Sequence, residues 1–171
     1  DVKTYRVLDT QGMLVAIFYA DFHPRAGKRG GAWMTSYKPQ QIIDTPDGKG
    51  VINDRPHISN VCNFTKPTAT KPSLLTFNEV TTLFHEFGHG LHGMLANTRY
   101  KGLSGTNVSW DFVELPSQIL ENWCYEKQTL ELFATHYKTG EVIPMELIEK
   151  IKASATFHEG MQTLRQLSFG M

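Results

Sequence analysis

Leu74–Ala96, LLTFNEVTTLFHEFGHGLHGMLA, is the stretch that decides the reading of this chain. Inside it His85-Glu86-Phe87-Gly88-His89 fits the pattern H-E-x-x-H, a metal-site signature when it lies on a helix. Thr76-Phe77-Asn78-Glu79 predicts the helix start, since Thr76 and Glu79 can satisfy each other's backbone N–H groups as a capping box. From there to about Ala96, Val80, Leu83, Phe84, Phe87, Leu91, Met94 and Leu95 follow helical spacing. At about 100° per residue they form a stripe, and His85, His89 and His92 fall roughly 120–180° from it. The histidines are therefore expected off the core-packing face. Their own face carries Gly88, Gly90, Gly93 and Ala96, small residues that let another element or a substrate come close.

Two histidines four apart lie one turn apart on one face, so both imidazoles reach one metal ion. Glu86 between them is placed to take a proton from water at that ion. A catalytic zinc site takes three protein ligands and leaves one position for water. A third histidine six residues after His89 is excluded, because that position is Leu95. His92, only three residues on, reads as lining the site or as purely structural. A predicted helix from Ser109 to about Glu126 offers candidates, with Asp111, Glu114, Gln118, Glu121 and Tyr125 gathered opposite Phe112, Leu115, Ile119 and Trp123. Pro116 removes a backbone donor early in that helix and predicts an irregular first turn. Local pattern alone leaves Asp111, Glu114 and Glu121 open as the third ligand.

Leu74–Gly93 and Leu103–Trp123 (LSGTNVSWDFVELPSQILENW), with Gly27–Met34 (GKRGGAWM) and Asn60–Pro67 (NVCNFTKP), resemble the thimet oligopeptidase family of zinc metallopeptidases, in its peptidyl-dipeptidase and oligopeptidase branch. The resemblance implies one Zn2+ ion held by His85, His89 and Glu114, with Glu86 as the catalytic base. It implies short unstructured peptides as substrates, cut by release of C-terminal dipeptides or internally. Gln118 and Glu121, one and two turns beyond Glu114, are expected to orient the ligands. Gly31 and Ala32, at the edge strand near Gly31–Trp33, are expected to line the substrate path by strand addition. Family members are several times longer, so the chain reads as a fragment of one catalytic domain, partnered by the remainder of a parent peptidase chain. Segments that grip substrate lie further towards the family's C-terminus. The alternative is a zinc-binding but catalytically silent module.

The chain has 171 residues, 40% hydrophobic and 20% charged, as in a globular domain. Its 17 basic and 17 acidic residues balance, which argues against nucleic acid and against an anionic membrane surface as partners. No apolar run approaches membrane-spanning length. Lys28-Arg29 reads as a solvated turn, and Cys62 and Cys124 as free thiols. A cytoplasmic setting is the expectation.

Tyr5–Leu8 and Met13–Asp21 predict a hairpin around Gln11-Gly12, and Trp33–Tyr37 and His57–Phe64 predict further strands. Pro39–Pro56 predicts a loop or protruding excursion. Helices are predicted near Thr129–Lys138 and Pro144–Phe169. Leu130, Leu132, Phe133, Leu147, Ile148, Ile151, Phe157, Leu164 and Leu167 are core candidates. The fold class is α+β, mainly α: a zincin-like core with a small antiparallel or mixed sheet beside the H-E-x-x-H helix and further helices. Residues 1–66 are mainly strands and loops, and residues 73–171 mainly helices.

Overall fold

The Gln11-Gly12 turn brings β1 (Lys3–Leu8) antiparallel to β2 (Leu14–Asp21), from Lys3↔Ala20 to Leu8↔Leu14. Asp9 Oδ1 accepts from the N–H groups of Gln11 and Met13, both at 2.9 Å, and Gly12 takes the left-handed φ of 82° that the reversal requires. The structure is a computed structural model and describes residues 2–170. β6 (His57–Val61) runs parallel to β2, and β3 (Trp33–Lys38) runs antiparallel to β6, giving the order β1-β2-β6-β3. The sheet is thus mixed, with β3 at one edge. On β2 the pleat buries Ala16, Phe18 and Ala20, which pack with Ile58 and Met94 as the core.

The expected excursion at Pro39–Pro56 is instead a separate two-stranded hairpin, β4 (Gln41–Asp44) with β5 (Val51–Asp54). The Pro and Gly density that suggested a loop is concentrated in its tip and flanks. At the tip Thr45 Oγ1 sits 2.5 Å from Asp47 Oδ1 and accepts from the Gly50 N–H. At the base the buried Gln40 donates to Asn53 Oδ1 and Thr98 O and accepts from the Thr98 N–H.

Lys28 is not a solvated residue. Its side chain is 3% exposed, and its ammonium is surrounded by Asp21 O, Asp21 Oδ1, His23 O and Cys62 O. Arg25 adds a second cation to Asp21 at 2.6 Å. Nearby, Asn63 Nδ2 donates to Arg29 O and Gly31 O, and the Arg29 guanidinium lies over the Trp33 ring. A lysine in a Gly-rich stretch looks like a turn residue, but here the loop folds its carbonyls inward around the charge.

After β6 come α1 (Phe77–Met94), a 3-10 turn at Lys101–Leu103, α2 (Trp110–Val113) and α3 (Leu115–Trp123). The predicted Ser109–Glu126 helix is therefore interrupted, at Glu114. Pro116 has no N–H to offer Phe112 O, and the hydrogen-bond ladder restarts with Gln118 N–H to Glu114 O at 2.9 Å. Asp1–Asn122 forms one compact unit and Trp123–Met171 a second.

In the second unit α4 (Lys127–Phe133) is shorter than predicted, ending before a turn closed by the Thr135↔Val142 bridge with Gly140 at φ 73°. The predicted Pro144–Phe169 helix is two, α5 (Met145–Ala155) and α6 (Glu159–Gly170), separated where His158 adopts φ 60°. Of the core candidates there, Leu130 and Ile148 are buried. Leu132, Phe133, Leu147, Phe157, Leu164 and Leu167 are exposed, because the short amphipathic helices of this unit supply no further layer over their outer apolar positions among the described residues. Cys62 and Cys124 are both buried, and burial pushes the Cys62 thiol up to about 12. No helix of the described residues is long and apolar enough to cross a membrane.

Candidate metal centre

The centre is built on α1, whose start is fixed by both halves of the capping box. Glu79 N–H donates to Thr76 Oγ1 at 3.2 Å, and Thr76 N–H donates to Glu79 Oε2 at 2.8 Å. Glu79 Oε1 also accepts from Thr65 N–H at 2.7 Å, tying the preceding loop to the helix. Along α1 the buried residues are Glu86, Gly88, Gly90, Gly93 and Met94.

The glycine-bearing face, rather than the apolar stripe alone, is therefore a packing face. A Cβ on Gly93 would lie 2.8 Å from Ile58 Cδ1, and one on Gly88 would lie 2.5 Å from Pro116 O and Ser117 Cα. Glycine makes this close, and the sheet and α3 both use the opening. The apolar stripe instead spreads Leu83, Phe84, Phe87 and Leu91 along an apolar cleft with Tyr5 and Phe18. Phe87 meets Phe18 edge-on there, with ring centroids 5.7 Å apart.

His85 and His89 face each other one turn apart, their ring centroids 4.9 Å apart. Glu114, at the break between α2 and α3, reaches both. Its Oε2 lies 3.3 Å from His85 Nε2 and 3.2 Å from His89 Nε2. One ligand atom from each of the three residues falls within 4.8 Å of the others. Ligands at 2.0–2.2 Å from a tetrahedral zinc would stand about 3.4 Å from one another, close to the 3.3 and 3.2 Å between Glu114 Oε2 and the two imidazoles.

Burial pushes His89 below its ordinary pKa, with Glu114 working against that shift, which favours the neutral imidazole that a metal needs. The Ser117 hydroxyl, 2.8 Å from Glu114 Oε2, holds the Glu114 carboxyl below its usual range, against burial and with help from the two histidines. His85 Nδ1 lies 2.5 Å from Glu121 Oε1. A carboxylate there fixes Nδ1 as the protonated nitrogen and leaves Nε2 free for a metal.

Glu86 is buried beside the ligands. Burial raises its carboxyl, His85 opposes the rise, Glu114 adds to it, and the Met34 main chain draws it back. It lines a cleft of about 380 Å3 with Ala32, Trp33, Met34, His85, His89 and Glu114, and with Thr106 and Val113.

The remaining sequence candidates are more scattered. Asp111 is exposed and outside the His85–His89–Glu114 group. Gln118 is exposed. His92 lies against Phe112 at 6.1 Å and lines a different cavity, with Leu95 and Leu103. Its Nδ1 is buried without a hydrogen-bond partner among the described residues. Gly31 is exposed at φ 92° and anchored through its carbonyl, and Ala32 enters the cleft wall.

Ser117 and Thr106 carry no role in the sequence reading. A serine three residues after a candidate ligand, across a proline, was the available signal for Ser117. Thr106 is brought to the cleft by a loop that no periodicity marks.

A model of peptidase family M3 matches residues 1–171. The chain is 47% identical to the organellar oligopeptidase A, chloroplastic/mitochondrial, of Arabidopsis thaliana, over 99% of this chain and 21% of that protein. It is 44% identical to oligopeptidase A of Escherichia coli K12, over 100% of this chain and 25% of the relative. It is 43% identical to the dipeptidyl carboxypeptidase of the same organism, over 98% and 24% respectively. The chain thus spans a quarter or less of the length of these relatives.

Proposed function

We propose that this chain, which belongs to peptidase family M3, supplies the metal ligands and the proton carrier of a zinc-dependent enzyme that hydrolyses short, unstructured peptides within a zincin-like core. One observation carries the reading. His85 Nε2 and His89 Nε2 converge on Glu114 Oε2 at 3.3 and 3.2 Å, with the buried Glu86 carboxyl in the same cleft. Zinc bound by these three residues would bring the pKa of a water molecule towards about 7 and polarise the scissile carbonyl.

Glu86 takes the proton as the water oxygen bonds to the carbonyl carbon, and delivers it to the amide nitrogen as the C–N bond breaks. Its raised carboxyl suits a group that must both accept and return a proton. Glu121 holds the His85 ring, and Ser117 keeps Glu114 ionised. β3 is an edge strand whose first residues border the cleft, so an extended peptide can pair with it and lie across Glu86. Donors for the developing carbonyl anion are assigned to other parts of the longer polypeptide.

The test is hydrolysis of quenched fluorescent peptides by the full-length polypeptide. Activity should vanish on complete chelation and return with zinc. Hydrolysis that survives full metal removal would overturn the reading.

A further inference from the structure

A second, smaller cavity of about 180 Å3 adjoins the candidate metal cleft, sharing Met34 and Thr106 with it. Ser36, Pro39, Ser104 and Asn107 complete most of its wall. Pockets that take whole small-molecule ligands run to about 300–1,000 Å3, so this one has room for a single side chain. Met34 and Ser36 lie on the same face of β3, about 7 Å apart along the strand. A peptide paired with that edge would present alternate side chains at the same interval. A side chain on the Ser36 side of the scissile bond would then meet the cavity.

The walls are fixed by close backbone approach. Gly105, at φ 58°, would place a Cβ 3.1 Å from Gly93 Cα, and Gly93 has no space for a Cβ beside Ile58. Ser104 is buried, and its carbonyl accepts from the Asn107 N–H at 3.2 Å. Met34 and Pro39 are apolar, Ser36 and Thr106 offer hydroxyls, and no charged side chain lines the cavity among the described residues.

We infer that this cavity is a side-chain pocket of the peptide-binding surface, selecting one uncharged residue near the cleaved bond. The inference rests on the peptidase reading above. It makes Ser36 and Thr106 specificity-determining residues.

The experiment uses the zinc-loaded, full-length polypeptide and quenched peptides varied to Ala, Thr, Val, Leu, Trp, Arg or Asp at each position flanking the cleaved bond. One position should favour Thr, Val and Leu over Arg and Asp. Ser36→Leu fills the cavity and should lower the kcat/KM ratio of leucine to alanine at that position by about 10-fold or more. Thr106→Val keeps the volume and should lower the ratio of threonine to valine there. Hydrolysis with every preference unchanged in both variants would overturn the pocket alone. No hydrolysis of any peptide by the unmodified protein would overturn the peptidase reading, and this inference with it.

Discussion

Gly88→Ala tests whether the contact between α1 and α3 sets the metal geometry. The new Cβ would lie 2.5 Å from Pro116 O and Ser117 Cα, and 2.8 Å from Ser117 N, all of them backbone atoms. Ordinary contact begins at 3.4 Å, so α3 must retreat by about 0.9 Å. Glu114 immediately precedes α3 and would move with it, whereas metal–ligand distances hold to about ±0.2 Å. Alanine gains about 0.5–1 kcal/mol over glycine inside a helix, while overpacking costs about 1–3 kcal/mol. The net loss of stability should therefore stay within about 2.5 kcal/mol. Zinc affinity should fall by at least about 100-fold, the upper range for losing an outer partner, because here a ligand is displaced. Competition with a chelating dye measures the affinity, and far-UV circular dichroism with urea unfolding reports the fold. Gly90→Ala is the control, since the nearest atoms to its Cβ would belong to the side-chain amide of Asn60, at 3.2 Å, rather than to backbone. Gly88→Ala with unchanged zinc affinity would refute the reasoning.

Glu114→Ala should lose zinc while Asp111→Ala retains it, measured as bound metal after dialysis against a weak chelator; equal retention would remove Glu114 from the ligand set. Glu121→Ala frees His85 Nδ1 and should lower zinc affinity or activity by about 10–100-fold with little change in unfolding midpoint. Lys28→Met leaves inward-facing carbonyls and Asp21 short of a partner and should cost about 3 kcal/mol in urea unfolding. Burial alone would raise Asp21, but hydrogen bonds from Arg25 and Lys28 bring it below its ordinary value. Its folded pKa thus lies under the unfolded one, so its contribution is full above about pH 4 and lost as pH falls through the folded value. Unfolding midpoints taken across that acid range should show a shallower dependence in Lys28→Met than in the unmodified chain.

The helix that carries the candidate site was legible because its signals are local. The Thr76–Glu79 box and the His85–His89 interval depend only on helical periodicity, and both stand in the structure as read. The glycines of α1 announced a close approach, though the sequence alone did not identify its partners as Ile58, Pro116 and Ser117. Glu114 could be chosen over Asp111 and Glu121 only through family resemblance, because the choice depends on how the chain breaks at Glu114, between α2 and α3. Lys28 was misread for a related reason: the oxygens around it come from Asp21, His23 and Cys62, and loop closure is invisible to periodicity. The β4–β5 hairpin was hidden by its Pro- and Gly-rich tip and flanks, and the break at His158 by continuous helical composition on both sides.

Glu86→Gln in the full-length polypeptide separates proton transfer from metal binding, with bound zinc and peptide turnover measured on the same sample. The amide keeps the shape of the side chain but cannot take a proton from water. One zinc should be retained and kcat should fall by about 10²–10⁴-fold. Near-normal turnover with the metal in place would contradict Glu86 as the proton carrier.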